Sequence, residues 1–203
     1  MYREHILDAA ENIFAEHGYE TSKVQSVAAA AGVSLATLYG VFETKWDLYR
    51  AVHERRTRML HEHVRERGES QGDLLDRMLD GIAAYVEFHM AHPSYLRMHL
   101  REQHIWSTSV TLRSPEQIDA WERGLEMMSK AFSLGQEAGI YHPDESPVLM
   151  ARTTLAMHQV RLGDWVDRGM IESAEAIVDV VKRQFIRAFC TEATRKARLP
   201  KST

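Results

Sequence analysis

The sequence predicts an all-helical protein in two parts, a three-helix helix-turn-helix domain followed by a larger helical domain. Three observations carry this. Apolar residues recur at helical spacing along most of the 203 residues, and no run alternates with the period of two that a half-buried strand needs. Residues 22–45 read as two short helices joined by a tight turn at Gly32. Residues 68–72, Gly-Glu-Ser-Gln-Gly, hold no apolar side chain and two helix breakers, which marks a domain boundary.

The first helix spans residues 3–17. Ile6, Ala9, Ala10, Ile13 and Phe14 form its apolar stripe, and Gly18 ends it. Ser22 N-caps the second helix, and Gln25 completes a capping box. Val24, Val27 and Ala28 form its apolar face. Gly32 supplies the positive φ of a sharp turn, Val33 plugs it, and Ser34 caps the third helix. On that helix Leu38 and Phe42 point inward, while Leu35, Thr37 and Tyr39 are available outside. Thr44 and Asp47 open a fourth helix, 44–67, with Trp46, Leu48, Tyr49 and Val52 on its apolar side.

Beyond the boundary the pattern stays helical. Residues 73–91 carry a wide apolar face, and His92-Pro93 breaks it. A shorter helix runs from Ser94 to about His104, and residues 105–114, with Trp106, read as a loop. Pro115 opens the next helix, which stops near Gly139. Ser146-Pro147 starts another that ends at Gly169, and Ser173 starts the last. After Cys190 the chain is polar and basic and is expected to fray, with 196–203 a flexible tail.

Composition bounds the function. The single Cys190 excludes an internal disulfide framework. Charged residues interrupt the N-terminus, so no signal peptide is read there, and no stretch reaches the ~18 apolar residues of a membrane helix. A cytoplasmic protein is expected, with no membrane partner. The net charge is −4, and residues 1–50 carry Arg3, Lys23, Lys45 and Arg50 against Glu4, Asp8, Glu11, Glu16, Glu20, Glu43 and Asp47. That is not the basic footprint of a nucleic-acid binder. Four of the acids lie on the first helix, however, which need not face DNA.

Ala31-Gly32-Val33-Ser34, Thr37-Leu38-Tyr39, Phe42 and Lys45 resemble the signature of the TetR-type transcriptional regulators. Ile6-Leu7-Asp8-Ala9-Ala10 to Phe14, with His17-Gly18-Tyr19, look like that family's first helix, and Lys45-Trp46-Asp47-Leu48 like the start of its fourth. The resemblance covers about the first quarter of the chain. It departs from the family at Gly40 and Val41, where members often carry aromatic or basic residues. It implies a DNA-binding domain over 1–50, with 44–67 linking, and a ligand-binding and dimerisation domain over 68–195.

The candidate DNA contacts are Ser22, Lys23, Ser34, Leu35, Ala36, Thr37, Tyr39, Gly40 and Lys45. Leu35 and Ala36 suit a thymine methyl, and Thr37 a base or phosphate. The resemblance assigns Tyr39 and Lys45 to phosphates. Ser22, Lys23 and Lys45 would hold the DNA backbone. One motif reads one half-site, so a homodimer on a palindromic double-stranded operator is expected. Its face is expected on the last two helices, through Leu155, Leu162, Ile177, Val181, Phe185 and Phe189.

Met-rich and aromatic middle helices suit a pocket for a small hydrophobic or aromatic effector. Its candidate residues are Met78, Ile82, Tyr85, His89, Tyr95, Met98, His99, Trp121, Leu125, Met128 and His158. A repressor released by that effector is expected, with repression against activation left open by the residues. The alternative is a helical small-molecule-binding protein or enzyme whose motif binds DNA weakly or not at all. No metal or cofactor is expected: His89, His92, His99 and His104 lack a ligand spacing. Nor is an enzyme expected, since Asp164, His158 and Ser173 come without a nucleophile elbow. Cys190 lies on an apolar stripe and reads as a buried inert thiol.

Overall fold

The computed structural model describes residues 2–68, 72–102 and 115–199. The 105–114 loop with Trp106, His104 and residues 200–203 lie outside them. Among the described residues the chain is helical: α1 (Tyr2–Thr21), α2 (Val24–Ala30), α3 (Leu35–Val41), α4 (Lys45–Gly68), α5 (Leu74–Ala91), α6 (Pro93–Glu102), α7 (Pro115–Glu137), α8 (Pro147–Asp167), α9 (Ala174–Phe189) and α10 (Glu192–Arg198). They divide into two compact units, Met1–Leu60 with Ala91–Gln117, and His61–Met90 with Ile118–Thr203.

The first unit holds α1 to α3, the first part of α4, and α6. Its core gathers Ile6, Leu7, Ala10 and Phe14 from α1, Val27 from α2, Leu38 from α3, Leu48, Tyr49 and Val52 from α4, and Met98 from α6. Tyr49 meets Phe14 edge-on at 5.0 Å. Gly18, at φ 77, breaks α1 as its sequence position suggests, and the last turn continues beyond the kink. Assignment of α6 to this unit differs from the sequence expectation, which places residues 68–195 together. Buried Leu96 and Met98 turn α6 toward α1, and Ser94 donates to Asn12 Oδ1 at 2.7 Å.

The second unit is built on α5, α7, α8 and α9. Phe132, Tyr141, Phe185 and Phe189 form an aromatic cluster, with Phe132 centred 4.9 Å from Tyr141 and 5.8 Å from Phe185. The segment after α7 pairs with the end of α9, where His142 N–H donates to Phe189 C=O at 3.0 Å. Residues 192–198, expected to fray, form α10 instead. Thr191 caps it, accepting from Thr194 N–H at 3.4 Å, and Arg198 ion-pairs with Asp73 and Asp76.

Most of the residues expected at the dimer face lie inside a single chain. Leu162, Ile177, Val181, Phe185 and Phe189 are buried within a single chain, and Leu155 is half-buried. The amphipathic stripe of α9 closes the core of its own unit and offers no exposed surface for a partner. The outward apolar residues of α8 are Val148, Leu149 and Val160, the last 67% exposed.

Candidate nucleic-acid interface

The interface is built on α2, the Gly32 turn and α3. Gly32 adopts φ 66, and α2 and α3 are bent by 103° across it. This lies in the range of helix-turn-helix pairs. Ser34 caps α3, its Oγ accepting from Thr37 N–H at 3.0 Å. Buried Leu38 and Phe42 fasten α3 to the core, as i, i+4 spacing requires. The opposite side presents Ala36, Tyr39, Gly40 and Val41 to solvent, with Leu35 and Thr37 half-buried. Thr44 and Asp47 form a reciprocal cap at the start of α4, Asp47 N–H donating to Thr44 Oγ1 at 3.0 Å and Thr44 N–H to Asp47 Oδ2 at 3.1 Å.

Two expected contacts are placed differently. Ser22 is buried, and its hydroxyl donates to the Gly18 carbonyl at 2.5 Å. Lys23 is the N-cap residue of α2, without a side-chain cap bond, and is exposed. Ser22 therefore ties α2 to α1, and neither the capping box with Gln25 nor a phosphate contact from Ser22 survives. Lys45 is half-buried. Its Nζ donates to the Glu20 carbonyl at 3.2 Å and lies 4.6 Å from the centre of the Tyr19 ring. An ammonium has three donors, so this tether aims the group while leaving donors for a phosphate. Gln25 and Ser26, exposed on α2, are polar groups beside the interface that the capping assignment hid.

The acid excess of this unit is largely absorbed inside it. Arg55 donates to Asp8 Oδ1 at 2.7 Å, Glu4 Oε2 at 3.3 Å and Glu11 Oε2 at 3.0 Å. Arg56 adds a two-pronged contact to Glu11, at 2.7 and 3.0 Å. Burial pulls the Arg55 pKa down, and the carboxylates of Asp8, Glu4 and Glu11 outweigh it, so the pKa stands raised. Two arginines just past residue 50, Arg55 and Arg56, thus pair with three of the seven acids before it and offset two of their three charges.

The pocket candidates separate. Tyr95, Met98 and His99 belong to the first unit. Met98 is buried in its core, and Tyr95 is buried with its hydroxyl 3.5 Å from Thr57 Oγ1. They ride on α6, which packs on α1. In the second unit Ile82, His89, Leu125 and His158 are buried, Met78, Tyr85 and Met128 half-buried, and Trp121 exposed. The Tyr85 ring lies 4.3 Å from His89 and 5.3 Å from His158. Burial first, and then His89, pull the His158 pKa down to about 3, so this ring is neutral at ordinary pH. Burial also pushes the Cys190 thiol up to about 11, which makes it unreactive.

Residues 6–52 match the family of bacterial regulatory proteins, tetR family. This stretch of the chain is a tetR-type regulatory domain by that match. The match spans α1 to α3 and the opening of α4, the helices that make up the first unit's interface. Among curated relatives, the chain is 26% identical over 151 residues to the A-factor receptor protein of Streptomyces griseus, covering 74% of this chain and 50% of that protein. It is 33% identical over 86 residues to the HTH-type transcriptional activator FasR of Mycolicibacterium smegmatis, covering 42% and 39%. The chain thus spans half or less of these relatives' length. In fold, the chain superposes on the ketosteroid transcriptional regulator KstR2 of Mycobacterium tuberculosis with a TM-score of 0.80 at 20% identity, covering 95% of this chain and 96% of that one. Within this family the fold is an N-terminal helix-turn-helix domain joined to a helical C-terminal domain. No single helix among the described residues is long and apolar enough to cross a membrane.

Proposed function

We propose that the chain is a DNA-binding transcriptional regulator that sits as a homodimer on a palindromic operator and is released by a small hydrophobic effector. The observation that carries this is the outward side of α3: a capped helix in the tetR-family domain, anchored by Leu38 and Phe42, with Ala36, Tyr39 and Gly40 turned to solvent. Such a helix fits the major groove. Tyr39, Lys23 and Lys45 border it and supply phosphate contacts, which set register without reading sequence. The outward faces of α8 and α9 carry self-association, with Val148, Leu149 and Val160 at its centre.

The effector reading rests on the second unit, which holds half-buried Met78, Tyr85 and Met128 and buried His158, the Tyr85 ring 5.3 Å from that of His158. Methionines adapt to an apolar ligand, and a neutral imidazole offers both a donor and an acceptor. Two of the proteins the chain resembles are named for a receptor function and for ketosteroids, which agrees with a hydrophobic ligand class. The regulator is proposed to repress.

Selection from a random duplex library at stated salt tests the reading. A palindromic consensus with half-sites about one helical turn apart, ~34–36 Å or a multiple, is expected. A library without enrichment at low salt overturns it.

A further inference from the structure

We infer that α3 reads its half-site by close approach and thymine-methyl contact, with Ala36, Gly40 and Val41 as its specificity-determining positions. This rests on the DNA-binding reading above. Paired recognition of guanine uses Arg or Lys on O6 and N7, and paired recognition of adenine uses Asn or Gln on N6 and N7. The sequence of α3 is Leu35, Ala36, Thr37, Leu38, Tyr39, Gly40, Val41, and it contains none of these four residue types. Its polar side chains are Thr37 and Tyr39. Thr37 Oγ1 lies 2.8 Å from Ser34 Oγ, so that hydroxyl is shared with the helix cap and offers no two-point contact. Tyr39 brings one hydroxyl and cannot make a two-point contact. The thymine C5-methyl is the apolar group that the major-groove edge offers to what remains.

Gly40 has no reason inside its own chain to be glycine. It lies within a helix, where glycine is less stable than alanine. Its φ is not positive, and a methyl group added there meets nothing within 4 Å. The residue is exposed, one turn beyond Ala36 on the same side. Gly124 and Gly163 are equally open helical glycines, so what singles out Gly40 is its exposed place on the outward side of α3, where glycine permits the closest backbone approach. The surface approached there is the groove. The family departure at Gly40 and Val41 is then a change in reading mode: a side chain that would reach the backbone is exchanged for a helix that settles deeper.

The test uses the full chain and the duplex that selection returns, at constant ionic strength. Deoxyuridine in place of thymidine removes only the methyl; 7-deazadeoxyguanosine removes only the guanine N7 acceptor. Uracil at half-site thymines should weaken binding about fourfold per contacted methyl, the ratio given by ~0.8 kcal/mol per buried carbon group. The guanine analogue should leave affinity within twofold. Gly40→Ala should raise Tm by roughly 2 °C yet weaken binding tenfold or more. Loss of affinity with 7-deazaguanine but not with uracil overturns the inference, as does a Gly40→Ala chain that binds as tightly as the parent or melts earlier. A consensus insensitive to both analogues overturns this inference alone, whereas a library without enrichment overturns the DNA-binding reading itself.

Discussion

Gly135 and Gly40 show how differently two helical glycines are held. A methyl group at Gly135 would overlap the Tyr141 ring, which lies buried across α7 beside Phe132 and Phe185. Alanine favours the helix by about 1 kcal/mol, but overpacking against an aromatic ring costs roughly 1–3 kcal/mol. Gly135→Ala should therefore destabilise, where Gly40→Ala stabilises. Urea unfolding of the two variants side by side checks the opposite signs. His158 gives a second test at this scale. Its folded pKa is about 3, pulled below the ordinary 6.5, so the unfolded chain takes up a proton that the folded chain refuses. Stability is complete above pH 6.5 and is lost as pH falls from there toward 3, at a limiting slope of about 1.4 kcal/mol per pH unit for this group. The urea midpoint should drop between pH 7 and pH 5, and His158→Gln should drop less. An equal drop would place the proton uptake on other groups.

At the scale of elements, the joint between α1 and α4 is ionic at its centre. Glu11 is buried and holds both Arg55 and Arg56, whereas the Asp8 side chain is 62% exposed. Removing one partner of a buried pair leaves a charge unsatisfied and costs roughly 3–5 kcal/mol. An exposed partner is worth about 1 kcal/mol or less. Glu11→Ala should lower the unfolding free energy by the larger amount and Asp8→Ala by the smaller, read from urea titrations. Equal effects would mean that Glu11 is reached by water. This joint also shows which parts of the fold the sequence could disclose. The caps at Ser34 and at Thr44–Asp47, the positive φ of Gly32, and the inward spacing of Leu38 and Phe42 are settled within four residues, and pattern alone shows them. Ser22, Met98 and Phe185 are decided by distant neighbours. A serine before a helix reads as a cap until α1 offers the Gly18 carbonyl. A methionine in a Met-rich stretch reads as pocket until α6 lies on α1. An amphipathic stripe reads equally as core or interface, because periodicity shows that a face is buried and not what buries it. Within the candidate site, α3 was legible for the same local reason, and the tether of Lys45 to Glu20 was not.

At the scale of the whole molecule, binding a palindrome requires two copies, and each copy alone grips only half a site. The unit that pairs them must expose apolar surface that its own core does not use. On α8, Leu149, Thr153, Ala156 and Val160 recur at i, i+4, i+7 and i+11, so they share one side of the helix. Val160 and Leu149 are 67% and 54% exposed on that side, and α9 packs on the same helix. Isolated exposed apolar residues are ordinary, but a row of them along one side of a helix suits a two-fold interface, in which the same patch serves both copies. A charge in the middle of such a patch is desolvated twice, once in each copy. Val160→Glu should therefore halve the mass seen by light scattering while the helical circular dichroism is kept. Operator affinity should fall by far more than a single contact accounts for, on the order of 10²-fold, because the second half-site no longer benefits from being tethered to the first. Phe185→Glu should behave differently. Its ring is 1% exposed and packed on Phe132 and Tyr141, so the charge enters a core and the helical signal itself should be lost. A folded Val160→Glu chain of unchanged mass would move the interface off α8, and a folded monomer from Phe185→Glu would return it to the α9 stripe.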